Sequence, residues 1–167
     1  MPETFFQGQA IPLSGNLPQV GSPAPNFTLT AADLSDLTLE SLRGNKIILN
    51  IFPSIDTPTC ASSVRAFNEK AAAVNNTKVV CISADLPFAV SRFCELEGLM
   101  NVQHASTLRS PDFMTDYGVA IAAGPMVGLS ARAVIVVNEG GVVKHVELVR
   151  ELSDEPNYDA ALEALKR

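Results

Sequence analysis

Thr57-Pro58-Thr59-Cys60 follows a strand-like apolar run, Lys46 to Pro53, and puts a thiol in the first turn of a helix. With Thr57 as N-cap, Pro58 takes the first helical position, where its missing N–H costs nothing. Cys60 then takes the third, from which a capping-box side chain reaches back to the cap. A thiolate there meets unpaired backbone N–H groups and the positive end of the helix dipole. Such surroundings favour the thiolate, the nucleophilic form of cysteine. A free cysteine elsewhere is commonly just a small buried hydrophobe, so position is what distinguishes Cys60.

The other cysteines sit differently. Cys81 lies mid-strand between Val80 and Ile82 and reads as a buried, inert thiol. Cys94 falls near the C-terminal end of a helix with Glu95 and Glu97, where dipole and carboxylates disfavour its thiolate. Its neighbours Ser91, Arg92 and Glu95 predict partial exposure. The asymmetry suggests that Cys60 attacks and Cys94 resolves. There is no CxxC, which counts against a thioredoxin-type reductase, a disulfide isomerase and a zinc ribbon. Three cysteines, with no basic or apolar leader in Met1 to Gly8, speak against a structural disulfide framework and for a cytoplasmic protein. His104 and His145 stand alone without metal-ligand spacing, and no cofactor or metal is expected.

A thiolate by itself is not enough. Taking a thiol from ~8.5 to ~6.5 raises its thiolate fraction at neutral pH roughly 25-fold. A Brønsted slope of ~0.45 takes back roughly 8-fold in nucleophilicity. Donors aimed at charge developing on a leaving oxygen must supply the rest. Arg132, in Gly128-Leu129-Ser130-Ala131-Arg132-Ala133-Val134, starts an apolar strand and is always charged. It is expected to stand in line with the parallel strands. Thr57 offers a hydroxyl one turn before Cys60, with Asp56 sharing the capping, and Pro53 closes the strand end without adding a competing N–H.

These residues need a frame. Phe5 to Leu13 reads as a hairpin centred on Gly8-Gln9, within an arm of about residues 1–17, and Gly21 to Pro25 as an extended connector. A short strand at Phe27 to Thr30 precedes a short helix, Thr38 to Arg43, stopped by Gly44. The run 46–52 is apolar on both faces, as in the centre of a parallel sheet. Cys60, Val64, Phe67, Ala71 and Val74 mark the apolar face of the next helix. Thr77 to Ser83 is a strand, Pro87 to Gly98 a helix ended by glycine, and Val102–Ser106 with Pro111–Tyr117 a shorter pair. Two strands, Ala131–Val137 and Val142–Val149, join through Asn138-Glu139-Gly140-Gly141, and a helix at Asn157 to Leu165 closes the chain. The order β-α-β-α-β-α-β-β-α predicts one α/β domain over 1–167 with helices on both faces of the sheet. At 47% hydrophobic and 18% charged residues the chain reads as an ordinary globule. A net charge of −6 argues against nucleic-acid binding, and no apolar run is long enough for a bilayer.

Pro53-Ser54-Ile55-Asp56-Thr57-Pro58-Thr59-Cys60, with Ala61 to Asn68 after it, closely resembles the thiol peroxidase family of bacterial peroxiredoxins. Pro-x-x-x-Thr-x-x-Cys is the general peroxiredoxin motif, and the Pro-Ser-Ile-Asp-Thr form is specific to thiol peroxidases. Ser83 to Phe88, Arg92-Phe93-Cys94, Tyr117 to Ile121 and Ala131-Arg132-Ala133 resemble it too, so the similarity spans nearly the whole chain. It implies a thioredoxin-like fold, a central mixed sheet with helices on both faces plus an N-terminal β-hairpin, and usually a homodimer. It implies Cys60 as the peroxidatic and Cys94 as the resolving cysteine of an atypical 2-Cys enzyme. Thr57, Pro53 and Arg132 match the remaining active-site positions. The implied substrates are hydrogen peroxide and organic hydroperoxides, and the implied reductant of an intrachain Cys60–Cys94 disulfide is thioredoxin. A redox sensor using the same disulfide without turnover is the alternative.

Overall fold

Alternating apolar side chains on the central strands feed two cores, one on each face of a single sheet. The computed structural model describes residues 2–71 and 74–167. In it, β5 (Lys46–Ile51) is flanked by β6 (Thr77–Ser83), parallel, and β9 (Ala133–Val137), antiparallel. β10 (Val143–Leu148) completes one edge against β9. On the other side follow β7 (Gln103–Ser106), β3 (Thr28–Ala31) and β4 (Asp36–Thr38), giving a seven-stranded mixed sheet.

Period-two alternation sorts the strands' side chains. Ile48, Val79, Cys81, Val134 and Val136 face a layer formed by α2 (Pro58–Ala71), α3 (Pro87–Glu97) and α5 (Tyr158–Ala164). Those helices supply Cys60, Val64, Phe67, Val90, Cys94, Ala161 and Ala164 to this core. Ile47, Leu49, Ile51, Val80, Ile82 and Ile135 face the opposite core, with Leu39 and Leu42 of α1 (Leu39–Leu42) and Phe113 of α4 (Phe113–Asp116). Burying β5 on both faces removes Ile47 to Ile51 from water, which is why its sequence is a near-continuous apolar run.

Local chemistry sets the boundaries. Thr38 caps α1, its hydroxyl accepting from Ser41 N at 3.0 Å. α3 starts on Pro87 and ends where Gly98 adopts φ 69, the left-handed conformation that glycine takes without strain. Ala72 and Ala73, inside the predicted helix Cys60 to Val74, lie outside the described residues, and α2 is described as far as Ala71.

The N-terminal hairpin pairs β1 (Glu3–Phe6) with β2 (Gln9–Ser14), and β8 (Ala120–Ile121) adds a third strand. Its turn is Gln7-Gly8, one residue earlier than the sequence suggests, with φ 52 and φ 80. A primed turn needs both φ values positive. The Glu151 carboxylate fixes it by accepting from Gln7 N at 2.8 Å and Gly8 N at 3.3 Å. The hairpin also grips the segment after β10: Phe5 N donates to Arg150 O at 2.7 Å and Leu152 N to Phe5 O at 2.8 Å. β4 and β8, three and two residues long, carry no pattern of their own and exist by pairing with neighbours.

Candidate active site

β5 ends at Ile51 and the chain crosses Phe52 to Thr57 before α2 begins at Pro58. This loop holds its shape through one carboxylate. Asp85, just past β6, accepts from Ser54 Oγ at 2.7 Å, Ile55 N at 2.7 Å and Ser83 Oγ at 2.6 Å. Thr57 N and Thr57 Oγ1 both donate to Ser54 O, at 3.1 and 3.0 Å. Pro53 is buried at the strand end. Asp56 is exposed and, among the described residues, its carboxylate makes no hydrogen bond to α2, so it does not share the capping. Thr57 is the residue before α2, but its hydroxyl turns back to Ser54 O and not to the sulfur.

Cys60 is fully buried in the first turn of α2. Arg132 Nη2 donates to its Sγ at 3.3 Å. The sheet topology explains the approach. Because β9 runs antiparallel to β5, with Ile51 opposite Ala133, the start of β9 sits beside the end of β5. Arg132 therefore reaches the thiol by antiparallel pairing, not as the next of a parallel series.

Its guanidinium is held rigidly. Nε and Nη2 donate to Leu152 O at 3.0 and 2.8 Å, and the N-terminal hairpin holds the same residue by its other backbone group, Leu152 N donating to Phe5 O. Nη1 is buried and has no partner among the described residues. A buried charged donor without a partner is costly, and here it lies on the same guanidinium that touches the sulfur. Thr59 Oγ1 donates to Ser153 O at 2.9 Å, tying α2 to the same segment. No sequence signal marks Leu152, since a backbone carbonyl has no residue type. Asp85 could have been found only as a carboxylate next to a strand end.

The three thiols are free. Cys81 is buried, and burial pushes its thiol up to about 12; Asn50 Nδ2 points at its sulfur from 3.7 Å. Cys94 is buried at 8% exposure, which corrects the expected partial exposure. Its helix is drawn onto α2 by the Arg65–Glu97 ion pair, and Arg65 also lies over the Phe93 ring at 5.5 Å. Asn101 N donates to Asn68 Oδ1 at 2.7 Å just beyond. Burial raises the Cys94 thiol, the direction expected, with desolvation as its cause. Cys60, Cys81 and Cys94 thus face one core. Among the described residues no group of histidines, cysteines and carboxylates could hold a metal ion, and no helix is long and apolar enough to cross a membrane.

Comparison with known proteins agrees with this geometry. Residues 19–162 match the Redoxin family. The chain is 54% identical to the thiol peroxidase of Mycobacterium tuberculosis over 165 residues, 99% of each chain. It is 51% identical to that of Corynebacterium glutamicum over the same share. Among solved structures, a peroxiredoxin-like protein from Aquifex aeolicus superposes with a TM-score of 0.93 at 36% identity, covering 99% of this chain and 96% of that one. The thiol peroxidase from Chromobacterium violaceum gives 0.91 at 26% identity, covering 98% and 95%. A buried thiol at the start of α2, an arginine fixed against its sulfur and full-length likeness to these proteins place the chain in the thiol peroxidase family, oxidoreductases of the peroxiredoxin type on a thioredoxin-like fold.

Proposed function

We propose that the protein reduces hydrogen peroxide and organic hydroperoxides through Cys60, with Cys94 as the resolving thiol and thioredoxin as the reductant. The observation that carries this reading is the Arg132 guanidinium, one N–H on Cys60 Sγ at 3.3 Å and Nη1 buried without a partner among the described residues. That free N–H is a donor for a peroxide oxygen next to the attacking sulfur. The Cys60 thiolate attacks the terminal oxygen, the O–O bond breaks, and the leaving oxygen takes a proton to become water or an alcohol. Cys60 is left as sulfenic acid. Thr57 Oγ1, donating to Ser54 O, keeps a lone pair that can accept from the peroxide O–H.

The sulfenic acid then condenses with the Cys94 thiol of the same chain, giving a disulfide and water. Both thiols are buried on separate helices, and a disulfide needs Cα atoms within ~7 Å. The step proceeds with local unwinding at one or both helices, which frees the buried thiols to meet. Reduction by thioredoxin returns both thiols. The enzyme acts in the cytoplasm as a homodimer. A coupled assay with thioredoxin, its reductase and NADPH tests this: the protein consumes many equivalents of peroxide, whereas a Cys94→Ser variant reacts once and stalls as sulfenic acid. Sustained thioredoxin-dependent turnover by that variant removes Cys94 from the cycle, and a single equivalent consumed by the parent protein makes it a sensor.

A further inference from the structure

The resolving reading leaves a chemical gap. Cys94 must give up its proton before its sulfur can attack the sulfenic acid, yet the last turn of its helix offers nothing that favours the thiolate. Cys94 lies in the last turn of α3, beside the negative end of the helix dipole, and α3 has no basic residue there. A base must come from another element.

His104 on β7 stands there. Its Nδ1 lies 3.9 Å from Cys94 Sγ, and its Nε2 lies 3.1 Å from Ser91 Oγ, one turn earlier on α3. The two contacts are compatible with the tautomer that a base at Nδ1 requires. With the proton on Nε2 donated to Ser91 Oγ, the Nδ1 lone pair faces the thiol. A cleft of about 430 Å³, lined by Ser91, Cys94, Glu95, Met100 and His104, opens onto this group from solvent.

We propose that His104 is the general base of the resolving step, taking the Cys94 proton at Nδ1 while Ser91 Oγ accepts from its Nε2. The proposal rests on Cys94 being the resolving thiol. Transfer occurs while α3 is closed, because the imidazole stays on β7 when the helix opens. The thiolate then attacks the Cys60 sulfur, the S–S bond forms and the S–O bond breaks. The departing hydroxide takes up a proton, so that Cys94–SH and Cys60–SOH give the disulfide and one water. Cys94 sulfur is oxidised and Cys60 sulfur reduced, with no further reactant. Burial lowers the His104 imidazole below its ordinary value, which keeps it neutral and able to accept at neutral pH.

The groups facing His104 are Cys94 and Glu95 on α3, Asp33 across a second cleft from the β3–β4 turn, and Cys81 on the adjacent β6 strand. Burial holds the His104 imidazole below its ordinary value and pushes the Cys81 thiol up to about 12, so of these two the imidazole is the one that changes charge on the acid side of neutrality. The test is a single-turnover experiment, reduced protein against one equivalent of hydrogen peroxide, quenched and mapped for Cys60 sulfenic acid and Cys60–Cys94 disulfide. In the parent protein the disulfide step levels off with rising pH on the acid side of neutrality, where the buried imidazole gives up its proton. In His104→Gln it slows at neutral pH by about 10²-fold or more and climbs about tenfold per pH unit, while sulfenic acid forms at the parent rate. Ser91→Ala leaves the base in place and slows the same step less.

A His104→Gln variant that resolves at the parent rate with the parent pH profile overturns the assignment. So does a loss shared equally by both steps, and so does a His104→Gln variant that fails to fold combined with an unchanged Ser91→Ala. If the parent protein itself forms no Cys60–Cys94 disulfide, the resolving role of Cys94 fails, an outcome distinct from a disulfide that forms without help from His104.

Discussion

Replacing Asp85 with asparagine probes the loop that presents Cys60 without touching the thiol or Arg132. Three donors converge on its two oxygens: Ser54 Oγ on one, Ile55 N and Ser83 Oγ on the other. An amide has one acceptor oxygen and turns the other position into a donor. In either orientation at least one donor faces an N–H group, and the bonds that survive lose their charge assistance. A hydrogen bond to a charged group contributes ~1.5–3 kcal/mol and a neutral one ~1. Because the site is only part-buried and the serine hydroxyls can turn to water, the net loss is about 2 kcal/mol. Carried into the reactive shape of the loop, that lowers the rate constant for peroxide roughly 30-fold. Stopped-flow reaction of the reduced protein with excess hydrogen peroxide measures it, with urea unfolding as a control for global stability. A variant that reacts at the parent rate and unfolds at the parent midpoint would refute the claim that Asp85 orders residues 54–57.

Arg132→Met removes the donor on Cys60 Sγ together with the free N–H beside it; reaction with peroxide slows about 10²–10³-fold, far more than alkylation by iodoacetamide. Equal losses in both reactions mean that the arginine acts on the thiolate alone. Arg65→Ala cuts the exposed ion pair to Glu97 and the stack on Phe93, together about 1 kcal/mol. Opening of α3 then becomes about fivefold more favourable, and amide exchange at the end of α3 and disulfide formation after oxidation both speed up. Unchanged exchange there shows that the pair does not hold the two helices together.

Much of this arrangement is legible in the sequence, for specific reasons. The Thr57-Pro58 start fixes where α2 begins, and the apolar periodicities of β5, β6, α2 and α3 fix what they bury. The unlike settings of Cys60 and Cys81 follow from those elements. What is not legible depends on distant partners. Asp85 acts on Ile55 across 30 residues, and only the parallel pairing of β5 with β6 brings their ends together. The sequence puts Arg132 at a strand start, but its approach to the sulfur depends on β9 running antiparallel and on the Leu152 carbonyl. Cys94 has polar neighbours in sequence, yet α2 and β7 cover it. The hairpin turn falls on Gln7-Gly8 because Glu151, far along the chain, accepts both N–H groups.

The central claim is the pairing of Cys60 with Cys94. Fully reduced protein treated with one equivalent of hydrogen peroxide, digested and mapped under non-reducing conditions, tests it most directly. The account predicts a Cys60–Cys94 cross-link within one chain, with Cys81 still a free thiol. A cross-link through Cys81, or a Cys60 that fails to react, contradicts it.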